Sequence, residues 1–383
     1  MQVNERHGPQ KIVDSPTSEQ SARRAGRVPW RSLRRITGAV TALLAGVAAL
    51  TPMGCYLSRA AYEEARILSR RQSIEQLVRD AGQPRTRTVT TMDVPALDAA
   101  TLDKLRLVSE ARAFADTALG LKTGKSFTQY SRLDRDTLVL VLSAAYRDRL
   151  ERKTWWFPVV GSFPYKGFFD FDEAKRTSEQ LTREGFDVTL GPSSAFSTLG
   201  WFNDPLVSTT VKADSVTLVN TVIHELLHNT FFAKGDVSYN ESLATFVGGR
   251  GAEEFFRARG DSALLLRAQQ DWQDDLLLGQ FWERLANDID AVFAALPDSA
   301  TQARISARDS VYASARRRLV DSIGPQLHGY PPEWSAKVKL NNAVLLSRRV
   351  YAEGLDKFDA VYREEGSLKR AIRRLTAERR VGG

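Results

Sequence analysis

The chain has 383 residues, of which 43% are hydrophobic and 26% are charged, a balance typical of a globular protein with a large core. The formal net charge is +8, and five of these charges come from residues 1–35. Because the surplus lies mostly at one end and no phosphate-binding loop accompanies it, we predict that the protein binds no nucleic acid. A single cysteine, Cys55, excludes internal disulfides.

Residues 1–54 have the order of a bacterial export signal. An Arg-rich segment is followed by an apolar run over residues 36–50, and Cys55 stands just behind it. This arrangement resembles a lipobox, although Pro52 occupies the position where leucine is usual. An uncleaved segment would be long enough to anchor the chain in a membrane, with the Arg cluster inside. We therefore expect a periplasm-facing protein of the cell envelope, held by a lipidated Cys55 or by an N-terminal anchor. The alternative is an ordinary buried helix behind a basic tail.

Residues 55–212 are predicted to contain the first helices and a small mixed sheet. Apolar residues recur at helical spacing in three stretches, residues 56–81, 97–119 and 171–183. Short apolar runs predict strands at residues 137–143 and 186–190. Two further runs, residues 155–160 and 165–169, are predicted to form a hairpin that turns at residues 161–164.

Residues 214–232 are predicted to form one buried helix that carries the sequence His-Glu-x-x-His. His224 and His228 are four residues apart, so both imidazoles leave the same face of the helix and can bind one metal ion. Glu225 lies one position round, where it can take a proton from a metal-bound water without ligating the metal. Burying these groups in an apolar helix is costly unless they are paired or bound to metal.

Catalytic zinc usually has three protein ligands, so the two histidines need a partner. A turn at residues 233–236 and a second helical pattern from residue 238 predict an antiparallel return to the level of the histidines. Glu241 is the predicted third ligand. A capping box formed with Ser238 is its alternative role. Three other carboxylates are alternative ligands, Asp236, Glu253 and Glu254.

The motif with a downstream glutamate resembles the gluzincin class of zinc peptidases, and the longer sequence is similar to a bacterial family of zinc aminopeptidases assigned by similarity. The resemblance covers most of the chain after residue 55 and rests on residues 153–161, 165–169, 196–206, 240–242 and 340–343. It implies a zincin-like fold, one Zn²⁺ per chain and a peptide substrate.

A zincin binds an extended peptide along an edge strand, and residues 194–202 are the predicted edge. Four aromatic residues are candidates to line the cleft, with burial in the core as the alternative: Trp155, Trp156, Phe196 and Trp201. Three residues are candidates to stabilise the developing oxyanion, Tyr239, His328 and Tyr330. Asn341 and Asn342 match the family pattern, and they either orient metal ligands or cap a helix.

Residues 213–383 are predicted to be almost entirely helical after the motif. The predicted helices cover residues 261–296, 300–323, 334–351 and 358–380. The last helix ends in a basic cluster that is either solvated or in contact with anionic lipid headgroups, formed by Lys369, Arg370, Arg373, Arg374, Arg379 and Arg380.

The predicted fold is α+β and mainly helical, zincin-like, with a small mixed sheet beside the metal-binding helix and a helical C-terminal half. Residues 1–54 are the leader, and residues 55–383 form one metallopeptidase domain. The predicted function is zinc-dependent peptide hydrolysis, as an aminopeptidase. A non-catalytic envelope lipoprotein with a structural metal, acting as a scaffold or chaperone, is the alternative. A membrane-surface module without metal is a third hypothesis.

Overall fold

The computed structural model describes residues 52–81, 97–137, 139–157, 161–192 and 205–381. The chain divides into two compact units, residues 1–58 and 59–383, and the second contains the sheets and nearly all of the described helices. Of the predicted leader, residues 1–51 lie outside the described residues. In the part of the chain that the structure describes, no helix is both long and apolar enough to cross a membrane.

The predicted helix over residues 56–81 is in fact two helices, α1 (Pro52–Ser69) and α2 (Ile74–Asp80). Between them the chain forms strand β1 (Gln72–Ser73), which pairs antiparallel with β2 (Gln129–Ser131). Ser73 then caps α2 by accepting the backbone N–H of Gln76. Pairing with a distant strand interrupts the helix, and local apolar spacing does not reveal such a partner.

Helix α3 (Ala99–Phe114) follows the predicted boundaries closely. Asp98 caps its start by accepting the backbone N–H of Thr101. The helix continues as a π-helical turn (Ala115–Leu119) and stops at Gly120, whose φ of +73° suits glycine.

Together with β1 and β2, the remaining strands form three small sheets. These strands and the helix between them are β3 (Leu140–Ala145), β4 (Trp155–Phe157), β5 (Gly161–Phe163), β6 (Lys166–Phe168), α4 (Phe171–Arg183), β7 (Asp187–Pro192) and β8 (Leu206–Val207). The strand orders are β1-β2-β8, β6-β3-β7 and β4-β5. The pair β2–β8 is parallel, whereas β3 pairs antiparallel with both of its neighbours.

The predicted hairpin between residues 155–160 and 165–169 is wrong. Strand β4 pairs with β5, with Phe157 opposite Gly161, and β6 pairs with β3 instead. Gly161 opens β5 with a φ of +81°, which favours glycine. Residues 161–163, which the prediction assigned to the turn, are themselves a strand.

The second half of the chain is helical, as predicted. It contains α5 (Ser208–Val211), α6 (Ser215–Thr230), α7 (Val237–Arg259), α8 (Ser262–Ala295), α9 (Thr301–Arg318), a π-helical turn (Leu319–Ile323), a 3-10 turn (Gly324–Gln326), α10 (Trp334–Lys337), α11 (Asn342–Ala352), α12 (Leu355–Glu365) and α13 (Leu368–Val381).

Two predicted helices in this half are each divided in two. The helix over residues 334–351 is interrupted before α11, because the Asn341 side chain caps α11 by accepting the N–H of Val344. The helix over residues 358–380 stops at Gly366, whose φ is +59°. Both interruptions have a local cause, a capping side chain and a left-handed glycine. The prediction missed them because it relied on the spacing of apolar residues alone.

The structure is mainly helical α+β, which confirms the predicted class, although the strands are divided among several sheets. Helix α6 lies in the main core, with seven of its side chains buried: Val216, Leu218, Val219, Val222, Ile223, Leu226 and Leu227. The same core contains side chains of α3, α7, α12 and α13. A second core is formed mainly by α8, α9 and α11. The helix that carries the histidines is thus held rigidly from several sides.

Candidate metal centre

Helices α6 and α7 pack closely because α7 has glycines where it crosses α6. A Cβ atom at Gly248 would lie 2.3 Å from the Oδ1 atom of Asn220 and 3.2 Å from the Cβ atom of His224. A Cβ atom at Gly251 would lie 2.8 Å from the side chain of Ile223. Any larger residue at these positions would force the helices apart, so the glycines fix the distance between the two walls of the site.

The turn between the two helices is held by side chains. The amide of Asn240, which is buried, bonds both the N–H and the carbonyl oxygen of Ala233 at 2.8 Å. Asp236 caps α7 by accepting the N–H of Tyr239 and also pairs with Arg379 on α13. These contacts return the first turn of α7 to the level of the histidines.

Three side chains meet where the helices face each other. The Oε2 atom of Glu241 lies 3.3 Å from Nε2 of His224 and 3.7 Å from Nε2 of His228. One ligand atom from each of the three residues lies within 4.8 Å of the others. Ligand atoms that surround one zinc ion tetrahedrally at about 2.1 Å are about 3.4 Å apart. Two imidazoles and one carboxylate at these spacings therefore fit a zinc ion and leave a fourth position.

The charges within this cluster favour an ionised Glu241. Burial alone raises its pKa, but hydrogen bonds and charge from His224 and His228 lower that pKa to about 2. For His228, burial lowers the pKa, and the hydrogen bond and charge of Glu241 with the charge of Glu225 raise it overall. The carboxylate is therefore available as an anionic ligand.

Glu225 lies beside the cluster on α6 and is half-buried. Its charge acts on His228 and on the hydroxyl of Tyr351, so its carboxylate lies near both side chains. This is the placement expected of a base next to the metal rather than of a ligand.

Two tyrosines that the sequence did not indicate lie at the site. The ring of Tyr351, in the last turn of α11, lies 6.5 Å from that of His224. Tyr351 is 49% exposed as a residue, but loss of water around its hydroxyl, with the charges of Glu241 and Glu225, raises its pKa to about 12. Tyr165 directly precedes β6, and burial with the charge of Glu241 also raises its pKa. Both phenols therefore stay protonated at neutral pH and can donate hydrogen bonds.

The end of α11 is fixed to α7 by the residue that follows Glu241. The hydroxyl of Ser242 donates to the carbonyl oxygen of Val350 and accepts the N–H of Glu353. These contacts flank Tyr351. The three residues Asn240, Glu241 and Ser242 thus hold the turn, face the imidazoles and position the tyrosine, respectively.

The three predicted oxyanion residues lie elsewhere. The Tyr239 hydroxyl donates to the carbonyl oxygen of Leu375. Tyr330 packs on Trp334 with ring centroids 4.3 Å apart, and the backbone N–H of His328 bonds to Asp274. Each is used in packing or in local hydrogen bonds, so Tyr351 and Tyr165 replace them as candidates.

The alternative ligands are engaged in other contacts. Asp236 is the helix cap, so Glu241 does not close a capping box. Glu253 is buried and paired with Arg250 at 2.9 Å, while Glu254 accepts hydrogen bonds from the Tyr362 hydroxyl and a backbone N–H. Within the described residues, His224, His228 and Glu241 are the group with the geometry to hold an ion.

Asn341 and Asn342 do not orient metal ligands. Asn341 caps α11 and donates to the carbonyl oxygen of Val188. Asn342, which is fully buried, accepts from the Tyr312 hydroxyl and donates to the carbonyl oxygen of Tyr146. They attach α11 to the sheet β6-β3-β7 and its surroundings, which agrees with the capping alternative for Asn341.

The predicted cleft aromatics have mixed outcomes. Trp155 packs against the core of the sheet β6-β3-β7, as its alternative proposed, whereas Trp156 is 66% exposed. Phe196, Trp201 and the predicted edge at residues 194–202 lie outside the described residues.

Fold and site describe a mainly helical α+β protein with a His-Glu-x-x-His helix and a convergent glutamate. A family model described as "putative aminopeptidase" matches residues 55–380, and the chain belongs to that family. The protein is accordingly a peptidase by family, with peptides as its substrates. No curated protein and no solved structure matches the chain.

Proposed function

We propose that the protein is a zinc-dependent aminopeptidase of the gluzincin type, with one Zn²⁺ held by His224, His228 and Glu241. The observation that carries the proposal is the position of the Glu241 carboxylate, 3.3 and 3.7 Å from the two imidazole nitrogens. A zinc ligand set of two histidines and one glutamate is typical of metallopeptidases. The family to which the chain belongs supports peptide hydrolysis as the reaction.

When bound, zinc polarises a carbonyl group and lowers the pKa of a coordinated water to about 7. Glu225 takes the proton from the attacking water and later passes it to the leaving amine. It is suited to this exchange because it is half-buried beside the ligands without being one of them.

Tyr351 and Tyr165 are the proposed donors to the carbonyl oxygen as negative charge develops on it. Both hydroxyls are protonated at neutral pH, and the charge of Glu241 acts on both, which supports a position of both groups near this carboxylate. Fixed donors in a partly buried site stabilise such a charge at low reorganisation cost. The attachment of α11 through Ser242 keeps Tyr351 in place.

We further propose that the enzyme works at the bacterial cell envelope. The support is the order of the leader, with Cys55 directly behind its apolar run. A Cys55→Ala variant tests the lipid anchor: loss of a lipid-sized mass from the N-terminus in mass spectrometry supports it, and an unchanged mass contradicts it.

The experiment that tests the catalytic proposal pairs zinc content with peptide cleavage, in the full chain and in its Glu225→Gln variant. We expect one zinc in both proteins and removal of N-terminal residues from a mixed peptide library by the unaltered protein only. Blocking the peptide amino groups by acetylation should then stop cleavage.

Zinc in both proteins with no cleavage by either would replace the enzyme with a scaffold that binds a structural metal. Cleavage of acetylated peptides within their sequence would replace the aminopeptidase with an endopeptidase.

A further inference from the structure

Arg152 is held between strand β3 and the helix that carries Tyr351. Its backbone forms an isolated antiparallel bridge with Ala145, and Lys153 donates its N–H to the carbonyl oxygen of Ala144. The Arg152 guanidinium donates one hydrogen bond to the carbonyl oxygen of Leu346 on α11. Backbone and head group are thus both fixed, on the side of the site where α11 lies.

The guanidinium of Arg152 has no carboxylate partner among the described residues. Two other arginines with little exposed surface do have one: Arg250 pairs with Glu253, and Arg308 pairs with Asp187 at 2.8 Å. Within the described ranges, Arg112 resembles Arg152 in lacking an acid and donates to the carbonyl oxygen of Gly124. Arg316 has no acid but bonds to several carbonyl oxygens. A guanidinium has five N–H donors, and the described structure uses one of them in Arg152.

Burial of Arg152 without an acid lowers its pKa, although the group stays charged. A half-buried cation with spare donors can bind water, and it can also bind an anion that comes from outside the chain. The planar fork of a guanidinium matches a carboxylate, with which it can form two parallel hydrogen bonds.

Arg152 also lies near Tyr351, a residue of the candidate site. It interacts electrostatically with the Tyr351 hydroxyl, and the Tyr351 ring lies 6.5 Å from His224. One extended peptide residue spans about 3.5 Å, so a carboxylate one or two residues from the cleaved bond can reach this position.

We propose that Arg152 binds a carboxylate of the substrate, and that the protein therefore favours short peptides whose C-terminal carboxylate lies within one or two residues of the cleaved bond. This inference rests on the proposed peptidase function and names its substrate class. An acidic side chain offers the same chemistry from another source, and the test separates the two.

The test compares three tripeptides with the same first two residues: one with a free C-terminus, one amidated, and one amidated with glutamate in the last position. Arg152→Gln should lower kcat/KM for the free tripeptide by about 10- to 100-fold, the usual worth of a charge-assisted hydrogen bond. The amidated tripeptide should change less than about twofold, and Arg152→Lys should restore part of the loss.

Lys153→Gln is the matched control, because the ammonium group of Lys153 packs over the ring of Phe186 at 4.8 Å instead. Lys153→Gln should leave kcat/KM unchanged for all three peptides. If Arg152→Gln lowers kcat/KM only for the amidated peptide that ends in glutamate, and affects the other two peptides equally little, Arg152 binds a side-chain carboxylate. That result would overturn the assignment to the C-terminal carboxylate. Equal loss for all three peptides would show that Arg152 only supports α11 and would overturn the inference.

A binding measurement separates this inference from the proposed function. In calorimetry on the zinc-loaded Glu225→Gln protein, the free tripeptide should bind about tenfold or more tightly than the amidated one, and only while Arg152 is present. If the unaltered protein cleaves nothing yet this difference appears, the peptidase proposal fails and the carboxylate site stands. Equal binding of both peptides would overturn the carboxylate site, whatever the activity.

Discussion

Helix α7 carries three partly or fully buried carboxylates, and two of them, Glu241 and Glu253, have contrasting surroundings. Glu253 is 2% exposed and has Arg250 at 2.9 and 3.0 Å, and Arg250 also bonds to Asp359. The Glu241 side chain is 25% exposed, and its carboxylate lies 3.3 and 3.7 Å from the imidazole nitrogens of His224 and His228. One carboxylate is enclosed in an ion network, whereas the other is partly exposed beside two histidines.

The difference shows what distinguishes a structural ion pair from a candidate metal site. A guanidinium satisfies a carboxylate with its own hydrogen bonds and leaves no place for an ion. Neutral imidazoles present lone pairs, so a bound cation can bring two of them together with a carboxylate. Substitutions along and around the same helix should therefore separate the two roles.

The largest effect is expected for Glu225→Gln. Removal of the base should lower kcat at least about 10³-fold, while the zinc content stays the same, because Glu225 is not a ligand. Glu254→Gln is the control, since Glu254 accepts hydrogen bonds from Tyr362 and Leu368 and should change stability rather than kcat. Loss of zinc from Glu225→Gln would contradict the assignment, and so would a rate close to that of the unaltered protein.

A substitution in the ion network around Arg250 should lower stability and leave zinc binding unchanged. Arg250→Met leaves Glu253 and Asp359 buried without a cation, and the free energy of unfolding should fall by about 3 kcal/mol. Denaturant unfolding measures this change, and zinc per folded chain should be unaltered. Arg257→Met, at a half-exposed arginine 3.8 Å from Glu253, should cost less than about 1 kcal/mol. Similar losses of unfolding free energy in the two variants would show that the buried ion pairs stabilise the fold no more than the half-exposed one does.

Tyr351→Phe should lower kcat by about 10²-fold with little change in KM or zinc content, because one donor to the developing oxyanion is removed. Tyr239→Phe is the control: its hydroxyl bonds to the carbonyl oxygen of Leu375, so the expected cost is about 1 kcal/mol of stability and no loss of kcat. A Tyr351→Phe enzyme as fast as the unaltered protein would remove Tyr351 from the mechanism.

The smallest effect concerns the spacing of the helices. Gly248→Ala places a methyl group against Asn220 and next to the Cβ atom of His224, so we expect about 2 kcal/mol of lost stability and weaker zinc binding. Thr245→Ala removes a hydroxyl that bonds only within α7 and should stay within about 0.5 kcal/mol. Unchanged zinc affinity in Gly248→Ala would show that the site tolerates a wider gap.

The parts of the site that the sequence predicted are local in the chain. His224, Glu225 and His228 are set by helical spacing, and Glu241 follows after a short turn whose geometry Asn240 holds. The fold class and most helices could be predicted for the same reason.

The parts that could not be predicted depend on contacts between distant segments. Tyr351 reaches the metal centre because Ser242, more than one hundred residues earlier, holds the end of its helix. Tyr165 and Arg152 lie in the region of the sheets. The hairpin prediction paired the wrong strands there, because β6 pairs with β3, more than twenty residues earlier, and not with β4. The helix over residues 56–81 was predicted as continuous because its interruption is stabilised by a strand some 57 positions away.

The most direct test of the account measures zinc bound by the unaltered protein, by Glu241→Gln and by Glu253→Gln, after dialysis against a weak chelator. We predict one zinc per chain in the unaltered protein and in folded Glu253→Gln, and almost none in Glu241→Gln. Absence of zinc from the unaltered protein would contradict the account, and so would full retention of zinc by Glu241→Gln.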